Sequence, residues 1–318
     1  MTSTPAIGVF DLQPMVAETP QRLSFTTRGE IGGGNVDRLP EVYYLVRPLA
    51  DPARDTPESA NAVAYTTGAS QRDVVTPTAS ATPTPPAVSG LAAGMLATAR
   101  STTVPLAPGS RMVGAGPESR RPQLPIELNG VTVSVNGVAA GLYFVSSNEI
   151  SFVVPAGLAA LTGTQSYPVV ISNNGATIRS AVQTSSLQPD IFTSANGAAG
   201  RATVLNVTNP MSSTPEPFTV TTTYTGSDGQ VKTEATLLRI MLTGIVNVTR
   251  TQVTVRINTT DVTGDAIVLV GATSTSGFDQ IDVRLPASLA AAGDVPIIVT
   301  VGTVSSRPAE TAPRIQIN

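Results

Sequence analysis

Two stretches of this chain are versions of one β-rich unit, and that duplication limits the architectures open to it. The first, VTVSVNGVAAGLYFVSSNEISFVVPAGL, runs from Val131 to Leu158. The second is split: VTVRINTT begins at Val253, and FDQIDVRLPASL runs from Phe278 to Leu289. Glu149, Ile150 and Pro155 match Gln280, Ile281 and Pro286 at one constant offset in numbering. Beyond the proline, Tyr167 to Ile171 matches Val295 to Val299 at a slightly smaller offset, so the intervening loops differ in length. Two copies of the same sandwich half make a modular chain, and neither copy carries a reactive centre.

The local pattern within the repeats is that of strands. VTVSV alternates apolar and polar residues, the period of a half-buried strand. Asn136-Gly137 is a turn pair because both residues accept positive φ. ISFVVP, YPVVIS, ATVLNV, FTVTTTY, QVKTEATLLRIML, VTVRIN, AIVLVGA, IDVRLP and PIIVTVG follow as strands, with turns at Asn173-Asn174-Gly175 and Ser227-Asp228-Gly229. Many short strands between turn signals predict β-sandwiches. The expected core comprises Val133, Val135, Phe152, Val154, Val170, Ile281, Val283, Ile298 and Val301, with the phase of each strand open to a one-residue slip. PAGLAALTG and PASLAAAGD each start with proline, and one short helical turn per module is expected there.

The length of 318 residues suggests about two domains. Aromatics make up 4% and tryptophan is absent, so Val, Ile, Leu and Ala must fill the cores. Charged residues are 13% of the chain, about half the usual share. Such a surface is covered by Thr, Ser, Asn and Gln, or is buried against another copy. The net charge of −3 gives no electrostatic footprint for nucleic acid or anionic lipid. Only Lys232 among the 19 basic residues is a lysine. No apolar run is long enough to span a membrane as a helix. The opening MTSTPAIGVFDLQP has neither the basic nor the apolar segment of a signal peptide. Export of this chain therefore expects a signal already removed or carried by a longer precursor.

Residues 1–50 form a strand-containing arm with candidates AIGVFDL, RLSFTT and EVYYLVRPL, and Gly32 to Gly34 as a turn. Residues 51–87, rich in Pro, Thr, Ala and Ser, are expected to be a linker without sheet pairing. The two modules then occupy 88–193 and 194–318, joined through QPDIFT.

Histidine and cysteine are both absent. Their absence removes Ser-His-Asp and Cys-His triads, disulfides, and every zinc site built on those ligands. Lys232 follows a hairpin turn and reads as a solvated strand lysine. Carboxylates remain. Asp279 and Asp282 are three apart, so on a strand they face opposite ways and cannot act as a pair. Asp261 and Asp265 flank a loop that could offer oxygen ligands to Ca²⁺, although the pattern falls short of an EF-hand. Asp190 reads as a turn cap in the joint. Tyr43-Tyr44 and Tyr143-Phe144 are aromatic pairs in which alternation sends one ring of each into a core. Asn206, Asn247 and Asn258 lie in N-x-T sequons that the high Thr content explains. The chain is read as non-catalytic, with no cofactor.

Several motifs carry a family likeness: LAPGS at Leu106 to Ser110, YFVSSNEISFVVP at Tyr143 to Pro155, QPDIFT at Gln188 to Thr193 and GRATVLN at Gly200 to Asn206. The most specific is FDQIDVRLPASLAAAGDVPIIVTVG from Phe278 to Gly302. From about residue 88 onward the chain resembles exported acidobacterial proteins that end in a pair of immunoglobulin-like (IPT/TIG-like) modules of unassigned function. It departs from their pattern at 207–235. RLSFTTRGEIGGGNVDRLPEVYYLVRP, Arg22 to Pro48, looks like one terminal hairpin of a TolB-like propeller blade. One blade alone cannot bury a core.

The resemblance implies an all-β fold of tandem immunoglobulin-like sandwiches. The functional expectation is a structural subunit of an extracellular filament, sheath or surface layer, whose partners are other copies of itself. Ile7, Val9, Phe10 and Leu12 would add as a strand to an open sheet edge of a neighbour. The alternative is a binding module of a larger exported protein that recognises a surface polysaccharide.

Overall fold

The computed structural model describes residues 62–75, 87–117, 123–194 and 200–318, together with the backbone of three strands in the arm. Residues 1–55, grouped with Gly175–Thr177, make up one compact unit. Within it, Arg22–Thr27 pairs antiparallel with Glu41–Val46, and Met15–Val16 pairs with the other edge of Arg22–Thr27. Ile7, Val9, Phe10 and Leu12 lie outside the described residues, as do the side chains of Tyr43 and Tyr44.

The rest is all-β. Among the described residues the only helical segments are one-turn 3-10 helices such as Ala287–Leu289, and no helix is long and apolar enough to cross a membrane. In the first module, Val131–Val135 pairs with Val138–Ala139, Tyr167–Asn173 and Glu127–Leu128, and Ala176–Val182 closes that sheet. The facing sheet runs, in spatial order, Asp73–Val74, Ala64–Thr67, Leu96–Arg100, Glu149–Val153, Gly141–Val145 and Val113–Gly114. Val131, Val133 and Val135 point inward while Thr132 and Ser134 do not, so the period-2 pattern is realised as read. Phe152, Ile150, Leu142 and Met95 fill the middle, each without exposed surface. Tyr65 meets Phe152 edge-on at 6.4 Å between ring centroids and hydrogen-bonds Ser180. Edge-to-face contact of this kind is a favoured arrangement for aromatic rings.

The second module repeats the plan. Val253–Ile257 pairs with Gly293–Val301 as Val131–Val135 pairs with Tyr167–Asn173. The turn asparagines match in detail: Asn136 donates its N–H to the Pro168 carbonyl at 2.8 Å, and Asn258 donates to Pro296 at 3.0 Å. Both have positive φ, 51 and 53°. Asparagine tolerates that region better than most residues. The facing sheet has Leu237–Thr243 beside Asp279–Arg284, with Ile267–Ala272 at one edge and Asp190–Ile191 and Val204–Asn206 on the other side.

Four expectations are corrected. Part of the 51–87 tract is not linker: Ala64–Thr67 pairs with Leu96–Arg100, and Ala62, Val63, Tyr65, Thr66 and Thr67 are buried. The Thr- and Ala-rich composition hid a short strand, because Thr suits a pleated surface as well as it suits a linker. QVKTEATLLRIML is two strands, Val231–Ala235 and Leu237–Thr243, in different sheets. The break falls at Thr236, which is buried and whose N–H and carbonyl pair with Val220 and Leu285.

The phase slips by one residue after Pro168, where Val169 and Ile171 are buried and Val170 is only half-buried. In the second copy the expected burial of Ile298 and Val301 holds, with Ile298 8% exposed, but Ile298 is paired with Arg256 on the side of the strand opposite the core-facing Ile297, Val299 and Val301. Runs such as PVVI and PIIV are continuously apolar, so alternation cannot set their phase. Finally, of the two expected helical turns only that of the second module forms. Gly157, with φ +89°, sits in left-handed backbone where the second copy has Ser288 inside its 3-10 turn.

Candidate functional site: the joint between the sandwiches

The most chemically distinctive place in the described structure is the joint between the two modules. Asp190, read from sequence as a turn cap, has no exposed surface and is the hub. Ser70 donates its N–H to Asp190 Oδ2 at 2.8 Å and its hydroxyl to Oδ1. Arg307 grips Ser70 from the other side: Nε donates to the hydroxyl at 3.0 Å and Nη2 to the carbonyl at 2.7 Å. Arg72 donates to the Ser306 carbonyl and, through its own N–H, to Thr67 Oγ1 at 2.9 Å. Ser70 and Arg72 belong to the first sandwich, and Ser306 and Arg307 to the second. Ser70 is thus the link, donating to the Asp190 carboxylate of the connecting segment and accepting from Arg307 of the second sandwich.

Burial dominates the electrostatics. It pushes the Asp190 carboxyl above its ordinary value, against the hydrogen bonds of Ser70 and Thr67 and the charge of Arg72. It also pushes Arg72 down to about 10, opposed by Asp190 and helped by Arg307, and lowers Arg307 as well. Asp190 has no exposed surface and the two arginines keep only a few per cent of theirs, at the edge of a groove, so the charges are tolerable only as a set.

Around this hub the modules approach closely. The Gln188 N–H donates to the Gly244 carbonyl at 3.0 Å, and the Leu96 N–H donates to Thr243 Oγ1 at 2.9 Å. Gly277 approaches the first module so nearly that a Cβ would lie 2.9 Å from Val153 Cγ2. Phe192 stacks on Phe278 with centroids 4.5 Å apart, Tyr143 meets Phe278 edge-on, and the Tyr143 hydroxyl donates to the Ser276 carbonyl at 2.6 Å. Neither Tyr143 nor Phe144 enters the core as alternation predicted. A bulge between Leu142 and Phe144 shifts the register so that Leu142 and Val145 face inward instead.

The other carboxylates fall into separate settings. Asp279 and Asp282 do face opposite ways: Asp279 caps the turn at Ile245, accepting its N–H at 3.0 Å, while Asp282 takes a bidentate pair from Arg239 at 2.8 and 2.7 Å. Asp261 is held by Arg256 at 2.6 and 2.9 Å. Asp265 lies in the 3-10 turn Gly264–Ala266. Among the described residues no three His, Cys, Asp or Glu side chains group as a metal site. Lys232 pairs with Asp228 at 3.2 Å beside its hairpin turn.

A surface network on the second module has a testable pH signature. Arg201 binds both Glu216 and Asp294, Arg314 binds Asp294, and the Gln316 N–H donates to Glu216 at 2.8 Å. The arginines hold Glu216 and Asp294 below the usual carboxylate range. A depressed folded-state pKa stabilises the fold above the unfolded value, and that stabilisation is lost as pH falls through the folded value. Arg201→Ala is therefore expected to destabilise by about 1 kcal/mol or less at neutral pH, given the exposure of the pair. The penalty should shrink in acid; urea midpoints of both proteins at the two pH values check this. Asp190, raised by burial, has the opposite sign: its ionisation becomes a cost as pH rises.

In comparisons with known proteins, no family model matches the sequence and no curated relative matches it.

Proposed function

We propose that this chain is a non-catalytic structural subunit of an extracellular filament, sheath or surface layer, built from copies that pair through the arm at residues 1–50. The supporting observation is the joint. Tandem sandwiches on a flexible connection behave as beads. A buried Asp190–Arg72–Arg307 set with an aromatic stack beside it makes one stiff block instead. Stiff blocks transmit load and repeat with constant geometry, which a cell-surface polymer needs. Edges suited to strand addition are present. Among the described residues, Ile267–Ala272 pairs only with Asp279–Arg284. The hairpin Thr221–Thr225 with Val231–Ala235 stands as a two-stranded sheet, and its Val231 side chain is exposed.

The reading makes a direct demand on the arm. Deleting residues 1–50 should abolish regular filaments or sheets in negative-stain micrographs while leaving thermal melting of the double sandwich unchanged. Normal assembly by the truncated chain would reject the donor-arm mechanism. Collapse of the sandwiches would instead make the arm part of their own fold.

A further inference from the structure

The outer face of the second module carries a groove of ≈ 780 Å³. Its floor is the side of Val253–Ile257 and Gly293–Val301 that faces away from the core. Cross-strand partners Thr254 and Thr300, and Arg256 and Ile298, lie there side by side. One wall is the segment 303–309, and the other brings in Arg72 from the first module. Three guanidiniums, those of Arg72, Arg256 and Arg307, line it. Asp261 takes Nε and Nη2 of Arg256, and Asp190 offsets Arg72 and Arg307, so two carboxylates stand against three positive charges. The lining is otherwise rich in hydroxyls and contains no aromatic ring.

Arg307 is the decisive residue. It is 3% exposed, and two of its guanidinium nitrogens are committed to Ser70. The third, Nη1, is buried and has no hydrogen-bond partner among the described residues. A charged donor left unsatisfied in the interior is costly, so native structures nearly always give it an acceptor. A second groove of ≈ 600 Å³ shares Arg72, Val304 and Ser305 with the first and crosses the joint to Leu161 and Gly163. There Gln183 presents a second unsatisfied group: Nε2 donates to the Gly163 carbonyl at 2.9 Å, while Oε1 is buried without a donor among the described residues.

We propose that these grooves together bind a carboxylated polysaccharide, a polyuronate chain, with a sugar carboxylate directed at the Arg256 and Arg307 side of the groove. Hydroxyl side chains on the floor match sugar hydroxyls, which both donate and accept. With no ring to stack on, neutral sugars lack their usual platform, and the guanidiniums select for acid. The paired grooves suit an extended chain better than a single sugar. The proposal goes beyond the assembly reading and does not depend on it, since Arg256 lies in the second sandwich and not in the arm.

The full chain should be titrated calorimetrically with polygalacturonate, with neutral dextran and with dextran sulfate. Polygalacturonate should bind and dextran should not. Arg256→Ala, a change at a half-exposed side chain, should weaken polygalacturonate by about tenfold or more, the loss of one charge-assisted contact, with an unchanged melting temperature. Thr300→Val should weaken it as well. Absence of polygalacturonate binding, equal binding of dextran, or an Arg256→Ala affinity equal to that of the parent would each overturn the proposal. Dextran sulfate binding as tightly as polygalacturonate would overturn the carboxylate selectivity. Loss of filaments with retained polygalacturonate binding separates failure of assembly from failure of this site.

Discussion

Asp190→Ala is expected to cost about 3–5 kcal/mol of folding stability, the range for breaking a buried ion set by removing one partner. The magnitude comes from what is left behind. Arg72 and Arg307 remain buried with no carboxylate between them, and the Ser70 N–H and hydroxyl lose their acceptor. Asp190→Asn, which keeps the shape and one acceptor but not the charge, should fall between alanine and the parent. The effect should also be visible in cooperativity. With the hub intact, the two sandwiches unfold together. Without it, urea denaturation followed by tyrosine fluorescence and by circular dichroism should separate into two transitions. A single coincident transition with a loss below about 1 kcal/mol, the worth of an ordinary hydrogen bond, would mean that the aromatic stack and backbone contacts hold the joint without Asp190.

Gly244→Ala should be nearly as damaging, for a steric reason. Gly244 has φ +86°. Left-handed backbone of this kind costs an L-residue roughly 1–2 kcal/mol. A Cβ there would also sit 2.1 Å from the Gln188 carbonyl oxygen, so the connecting segment must move. That segment leads within two residues to Asp190, and displacing it disturbs the charged hub. Overpacking of this kind adds about 1–3 kcal/mol. Gly229→Ala is the control: its φ of +75° is similar, yet nothing lies within 4 Å of the new Cβ. Chemical denaturation of both variants isolates the close approach as their difference. Equal losses would show that conformation alone explains the Gly244 effect.

The alternating pattern reported the strands well where one face is polar. Val131–Val135 and Val253–Ile257 were legible because Thr, Ser and Arg mark their outer positions. The continuous apolar runs at Val169–Ile171 and Ile297–Val299 carry no such mark, and their phase came only from the fold. The same blindness concealed the groove, because Ile298 reads as a core residue until its face is known. Composition misplaced Ala64–Thr67, since small and β-branched residues fill both linkers and strands.

The features legible before any fold is known are local and periodic: an all-β chain, two related copies, and asparagine turns at matching positions. These follow from side-chain period and from φ preferences, both properties of near neighbours. The joint exists only in three dimensions. Ser70 and Asp190 are 120 positions apart, Leu96 and Thr243 147, and Ser70 and Arg307 237. No spacing rule links such residues, and each looks ordinary in its own segment: a serine in a Thr-rich tract, an aspartate before a turn, an arginine before a proline. Their meaning arises when two sandwiches pack and shut water out, because burial turns three unremarkable charges into a set that must be satisfied together.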